Sequence, residues 1–346
     1  MTKKFNPSDI GLDNGNMYGL PYSVDEAKVV IVPVPWEVTT SYRDGTARGP
    51  QAILDASVQV DVYDADAPDA WKLGLAMLPI SKKWAAANAR LRPKAKRCIQ
   101  NLEKGGSPSD ANVKKLYAEI NRAGTELNTW VEKETSRLLN AGKSVCVLGG
   151  EHSVPLGFMK ALARVHPHFS ILHIDAHADS REAYEGFTYS HASIMYNASQ
   201  LTQVDRIVLA GIRDYCQEEA DRIAASRGRI VAFPDRDLKR NGFAGQTWKQ
   251  QSKKITDPLS DNVYISFDID ALDPSLCPHT GTPVPGGFAF EEICFVIETL
   301  VSRGKTIIGF DLSEVAPHPG EEWDASVGAR MLYRLVNFMA KSQGKL

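Results

Sequence analysis

The sequence predicts an α/β protein built on a parallel sheet with helices on both faces. Three observations carry that prediction. Short β-branched runs alternate with longer amphipathic segments, as expected where crossover helices join parallel strands. Most of the runs are continuously apolar, as strands buried on both faces must be. Several end in clusters of Asp, His and Glu, and the carboxyl ends of strands line the ligand crevice of such sheets.

In chain order, a first strand is expected over Val29 to Val34 and a long helix over Asn112 to Asn140. Ser144 to Leu148 and Ile171 to Ile174 are strands flanking a helix over Pro155 to Val165. Arg206 to Ala210, Ile230 to Phe233 and Val263 to Phe267 follow as strands, then a helix over Phe290 to Val301. Thr306 to Phe310 is the last strand and Val327 to Ala340 the last helix. No Pro- or Ser-rich linker and no repeat interrupts this order, so residues 1–346 read as one domain. Ser81 to Gly106 departs from the pattern. It is dense in Lys and Arg, with Glu103 its sole acid, and reads as a solvated basic insertion rather than a lid or subunit contact.

Composition excludes several classes. A formal net charge of -2 does not suit nucleic acid or an anionic membrane as partner, since both demand a basic surface. The opening Met1-Thr-Lys-Lys-Phe-Asn-Pro7 contains no apolar stretch of the kind that directs export, and no apolar run reaches membrane-spanning length. Cys98, Cys146, Cys216, Cys277 and Cys294 are odd in number, scattered, and form no C-x-x-C pair, so they read as reduced thiols. A cytoplasmic location is expected.

Chemistry concentrates at four strand ends: Gly149-Gly-Glu-His152-Ser153, Asp175-Ala-His177-Ala-Asp179, Asp268-Ile-Asp270-Ala-Leu-Asp273-Pro274 and Asp311-Leu-Ser-Glu314. Side chains at i, i+2 and i+4 of an extended chain face one side, so Asp175, His177 and Asp179 can converge, and Asp268 with Asp270 repeats the geometry. Carboxylates crowded into one crevice repel and lose solvation unless cations neutralise them. Four carboxylates with His152 and His177 suit two divalent ions. Mn²⁺ fits such oxygen-rich ligation, with Ni²⁺, Co²⁺ or Fe²⁺ as competitors, whereas Zn²⁺ more often recruits Cys or further His. His173, on the same strand face, reads as a support behind the ligands or as structural, and Asp273 as a turn anchor ahead of Pro274. Gly142-Lys-Ser144 is not a phosphate loop, because position 137 is Arg and the segment precedes its strand.

In that order, Gly-Gly-Glu-His-Ser, Asp-Ala-His-Ala-Asp, Ser-Phe-Asp-Ile-Asp-Ala-Leu-Asp-Pro and Glu-Val-Ala-Pro resemble the four signature blocks of the ureohydrolase (arginase and agmatinase) family. Gly281-Thr-Pro-Val-Pro-Gly-Gly287 and the early Arg48-Gly49-Pro50 are similar to two further family segments. The resemblance implies a three-layer α/β/α fold, a pair of manganese ions and assembly into homo-trimers or hexamers. It implies that His152, Asp175, Asp179 and Asp268 hold one ion, and His177, Asp175, Asp268 and Asp270 the other. Bridging by Asp175 and Asp268 agrees with the need of closely spaced ions for shared anionic ligands. Glu314 matches the glutamate that pairs with the substrate guanidinium, which a carboxylate can hold by two parallel hydrogen bonds. His191, in Tyr189-Ser-His191-Ala192, matches a proton-carrying loop histidine, a role that imidazole suits.

The substrate loop, Ser180-Arg181-Glu182-Ala-Tyr184-Glu185-Gly186, lacks the arginase pattern and is similar to agmatinases. Glu182 or Glu185 suits the free amine of agmatine, whereas Arg181 suits a carboxylate such as that of guanidinobutyrate or formiminoglutamate. The expected reaction is agmatine to putrescine and urea, a step of polyamine biosynthesis. Other guanidino-acid or formimino hydrolases, arginase and guanidine hydrolase stand as alternatives. A non-catalytic paralogue is the remote one, because none of the ligand or catalytic positions is missing.

Overall fold

The computed structural model describes residues 5–346. Among these residues the strands are β1 (Val29–Val34), β2 (Leu75–Met77), β3 (Ser144–Gly149), β4 (Phe169–Ile174), β5 (Val204–Ala210), β6 (Ile230–Phe233), β7 (Asn262–Asp268) and β8 (Thr306–Ser313). The helices are α1 (Gly49–Ser57), α2 (Lys82–Glu103), α3 (Lys114–Asn140), α4 (Leu156–Val165), α5 (Ile194–Ser199), α6 (Gln217–Ala225), α7 (Asp235–Phe243), α8 (Trp248–Thr256), α9 (Phe290–Ser302) and α10 (Trp323–Ser342). One eight-stranded sheet runs in the order β2-β1-β3-β8-β7-β4-β5-β6, and every pairing is parallel.

Alternation along the strands divides the interior into two cores. Val29, Ile31, Cys146 and Leu148 face one core with side chains of α1, α8, α9 and α10. Val30, Val32, Val145 and Val147 face the other, with side chains of α2, α3, α4 and α5. This is the three-layer arrangement. Because the strands are apolar on both faces, helices must cover both.

Register places the strand ends side by side. Leu148 pairs with Leu312, Leu312 with Phe267, and Phe267 with Ile174, so four neighbouring strands finish in one row. The residues just beyond that row therefore meet at one edge. Two glycines let the backbone close there. A Cβ on Gly150 would lie 1.9 Å from Trp36 O, and one on Gly49 would lie 2.3 Å from Val315 O. The sequence blocks Gly149-Gly150 and Arg48-Gly49-Pro50 thus answer to close backbone packing.

Two expectations need correction. β2 is an additional strand, three residues long, too short to register as a run. The basic Ser81 to Gly106 stretch is solvated on one face only. It folds as α2, whose N-cap Ser81 accepts from Trp84 N and whose Trp84, Leu91, Ala95 and Cys98 are buried. Four of its basic residues, Arg90, Arg92, Lys94 and Lys96, form ion pairs. Arg92, 6% exposed, donates to Val38 O (3.1 Å) and Thr40 O (2.6 Å) and pairs with Asp44 (2.7 Å). Lys94 reaches Glu119 on α3 at 2.6 Å, where Arg90 also pairs. Among the described residues no helix is long and apolar enough to cross a membrane.

Candidate metal centre and active site

The row of strand ends brings the two sequence-predicted histidines and four carboxylates together. His152, three residues past β3, is fully buried. Its Nδ1 lies 3.0 Å from Asp175 Oδ2, 3.3 Å from Asp268 Oδ2 and 3.4 Å from Asp179 Oδ2. His177 Nδ1 lies 3.4 Å from Asp175 Oδ1 and 3.2 Å from Asp270 Oδ2. Asp175 therefore faces both imidazoles, one carboxylate oxygen to each. Backbone amides fix the acids. His177 N donates to Asp175 Oδ1 (2.6 Å), Ala176 N to Asp270 Oδ1 (3.1 Å) and Asp270 N to Asp268 Oδ1 (2.8 Å). Asp179 adopts a left-handed φ of 47°, a strained conformation that turns its carboxylate back to His152.

Electrostatics show what the donor set lacks. Burial, with the charge of Asp175 added, pushes Asp179 up to about 7. Burial, then Asp270 and Asp175, pushes Asp268 well above the carboxylate range. Burial opposes charge on His177, but Asp270 and Asp175 outweigh it and push it up to about 12. These groups are short of positive charge. Two divalent cations would supply that charge, and the residues present fit them.

Further groups support these residues, and of them sequence reasoning gave Ser266 and Tyr264 no role. His152 Nε2 lies 2.8 Å from Ser266 Oγ and 3.4 Å from Asp311 Oδ2, and Asp311 is held by Tyr264 OH (2.8 Å) and Ser313 Oγ (3.0 Å). A partner on the far ring nitrogen is how proteins fix a metal-binding imidazole. His173 stacks on His152 at 5.2 Å and sits 3.2 Å from Asp175 Oδ2, and burial pushes it down to about 4. Asp273 accepts from Ser275 N and Oγ, as a turn anchor does.

Glu314 follows β8 with φ 66°. Its Oε1 accepts from His152 N at 2.8 Å, while its Oε2 is buried without a hydrogen-bond partner. Burial, then Glu151, raises its pKa well above the usual range. His191 Nδ1 lies 4.0 Å from Glu314 Oε1 and its Nε2 3.2 Å from Ser41 Oγ. Burial, then the charge on His177, lowers His191 to about 3, so the ring is neutral.

A pocket of about 130 Å³ opens on His177, Asp179 and His191, and is walled by Arg181, Tyr184, Asp214 and Glu219. The loop expectations divide here. Arg181 lines the pocket, but its guanidinium lies over Tyr184 (4.6 Å) and its Nε is 3.5 Å from Glu219 Oε2. Glu182 is exposed beside Tyr196, off the pocket. Glu185 also lies off the lining, and burial pushes it up to about 7. The left-handed residues Ala183 and Glu185 turn the loop so that neither acid enters. The acids in the wall are instead Asp214 and Glu219, from the segment after β5. An isolated bridge between His177 and Asp214 brings that segment alongside, which no local pattern signals.

The arginase-family model matches residues 27–337. The chain belongs to the arginase family. It is 31% identical over 328 residues to the N(1)-aminopropylagmatine ureohydrolase of Thermus thermophilus, covering 94% of each chain. It is 28% identical to the agmatinase of Bacillus anthracis, over 85% of this chain and 86% of that one. Among solved structures, the agmatine ureohydrolase of Thermoplasma volcanium superposes with TM-score 0.74 at 26% identity, covering 96% of this chain and 97% of that one. The arginase of Bacillus cereus, 21% identical with TM-score 0.66 over 90% of this chain and 98% of that one, shares the fold. As an arginase-family chain it is a ureohydrolase, an enzyme that cleaves amidino groups with the aid of bound metal.

Proposed function

We propose that this ureohydrolase acts on a guanidino compound with a cationic amine tail, agmatine or its aminopropyl-extended form, releasing urea and the corresponding amine. The observation that carries the reading is the unpartnered Oε2 of Glu314, buried beside the metal ligands behind a pocket whose wall includes the exposed Asp214. A buried carboxylate oxygen without a donor is poised to accept one from a guanidinium N–H. His191, neutral and 4.0 Å from Glu314, is placed to take a proton and hand it to the leaving amine. When bound, the metal pair would supply a water of lowered pKa as the nucleophile. Asp175, Asp179, Asp268, Asp270, His152 and His177 hold the pair, and Asp214 receives the distal amine. Manganese is the ion we assign, with Ni²⁺, Co²⁺ and Fe²⁺ suited to the same donors. The names of the relatives from Thermus and Bacillus support an amine-tailed substrate. Arg181 engages Glu219 and Tyr184, which speaks against its receiving the carboxylate of guanidinobutyrate, although a Pseudomonas aeruginosa guanidinobutyrase is 27% identical. We further propose that the chain works as one domain, in the cytoplasm, as a homo-trimer or hexamer, with a small guanidino compound rather than nucleic acid or membrane as its partner.

A second reading, free guanidine, has one observation in its favour. The 130 Å³ pocket is small and its wall carries the Arg181–Tyr184 pair. Urea release from agmatine, N(1)-aminopropylagmatine, guanidinobutyrate, arginine and guanidine, on Mn²⁺-loaded protein, separates the two. Asp214→Asn should raise KM for the amine-tailed substrates about tenfold or more if that contact is desolvated, and leave guanidine unaffected. Turnover of guanidine alone would overturn the amine-tail reading.

A further inference from the structure

Outside the active site, His279, His318 and Glu321 offer ligand atoms that all lie within 4.8 Å of one another. The three come from two segments, and each segment is built to present them. His318-Pro319-Gly320-Glu321 is a tight turn closed by Glu321 N donating to His318 O at 3.2 Å, with Gly320 at φ 83°. Pro followed by a left-handed Gly is the pairing such a turn favours, and it sets its first and last residues across from each other.

His279 is fixed from behind. Asp324, in the first turn of α10 and 1% exposed, accepts from His279 N at 2.9 Å and lies 2.8 Å from His279 Nδ1. A carboxylate at Nδ1 selects the tautomer with its proton there and leaves the Nε2 lone pair free. Nε2 points to the turn, 3.9 Å from Glu321 Oε2, and the rings of His279 and His318 stand 4.1 Å apart at 18°. A buried carboxylate, an oriented imidazole and an open nitrogen facing further donors make up the support that metal-binding histidines ordinarily have.

We propose that His279, His318 and Glu321 bind one borderline divalent transition ion of the Zn²⁺ type, separate from the buried pair. Two imidazoles, one carboxylate and a water are a ligand set that Zn²⁺ accepts in tetrahedral geometry. Bonds of about 2.0–2.2 Å put tetrahedral ligand atoms roughly 3.3 Å apart. His318 and Glu321 are exposed and free to rotate toward that spacing, with His279 held still by Asp324. The hard, oxygen-rich buried centre and this nitrogen-rich surface set differ in ligand character, so the two differ in the ions they retain. The ion ties two walls of the active site together. Thr280, next to His279, donates to Glu314 O at 2.9 Å, and His318 lies four residues beyond Glu314.

The test is a calorimetric titration of Mn²⁺-loaded protein with Zn²⁺, with elemental analysis of the bound ions. Wild type should take up one Zn²⁺ per chain without losing its Mn²⁺. His318→Ala should lose that equivalent or weaken it at least tenfold, and Glu321→Gln should weaken it too, while urea release by both Mn²⁺-loaded variants stays within about twofold. Both positions are exposed, so neither substitution threatens the fold. Co²⁺ in place of Zn²⁺ should give wild type a visible absorption band that His318→Ala lacks. Uptake of Zn²⁺ by His318→Ala with wild-type stoichiometry and affinity overturns the proposal, as does wild type that gains Zn²⁺ only in exchange for Mn²⁺. The outcome does not depend on which guanidino compound the enzyme hydrolyses.

Discussion

His152 is held at both ring nitrogens, by Ser266 and Asp311 on one side and by three ligand carboxylates on the other. His191 touches none of those acids and hydrogen-bonds Ser41 instead. Substitution at the two parts should therefore fail in different ways. Asp268→Asn should release metal and activity together, because a neutral amide cannot hold two cations. His191→Asn should keep its metal and lower kcat by about 10²–10⁴-fold, the range for a lost proton carrier. Metal analysis beside steady-state kinetics reads both, and metal loss in His191→Asn would remove it from the proton-carrying role. The ligand acids were legible because i, i+2, i+4 spacing after an apolar run is a local pattern. Ser266, Asp311, Asp214 and Glu219 were not, because their importance comes from register with neighbouring strands and from a chain crossing after β5.

Between elements, the clearest single joint is Asp64 against α10. Its carboxylate accepts from Arg334 Nη1 (2.6 Å), Asn337 Nδ2 (2.7 Å) and Asp66 N (2.9 Å). Burial alone would raise its pKa, but these donors and the Arg334 charge outweigh burial and hold it below the usual value. A depressed folded-state pKa adds stability that is present above the unfolded value near 4 and lost as pH falls through the folded one. Asp64→Asn should thus destabilise by about 1–3 kcal/mol at neutral pH, with the difference from wild type shrinking below about pH 4. Denaturant melts across that range check the sign, and an undiminished gap at low pH would contradict it. The helix that the sequence concealed, α2, teaches the matching lesson. Trp84, Asn88, Leu91, Ala95 and Cys98 recur at helical spacing on its buried face, but the five Lys and Arg between Arg90 and Arg97 obscured the period. Arg92 misled most, since its charge is spent inside, capping the carbonyls of Val38 and Thr40.

For the whole molecule, the parallel sheet was legible from alternating apolar runs and amphipathic segments, and the place of the site from the polar clusters at strand ends, whereas the strand order was not. Continuous apolar runs state that strands are buried on both faces but not which strands are neighbours. The order has a consequence in time. The strand made last, β8, is a central one, inserted between β3 and β7. Until residues 306–313 leave the ribosome, β2-β1-β3 and β7-β4-β5-β6 have no strand to join them. His152 belongs to the first group, and Asp175 and Asp268 to the second. Synthesis from the N-terminus therefore delivers His152 long before β8 brings it within reach of the acids that follow β4 and β7, two strands that pair directly with each other. Such long-range pairing is slow to form. A chain ending at Lys305 should fail to hold the ion assigned to His152 although it contains all six proposed ligands, and equilibrium dialysis with Mn²⁺ should show at most one tightly bound ion. Tight uptake of two ions by that fragment would show the halves meeting without their joining strand. Completion of the metal pair is thereby tied to completion of the polypeptide, because the His152 half is joined to the other only when β8 enters between them.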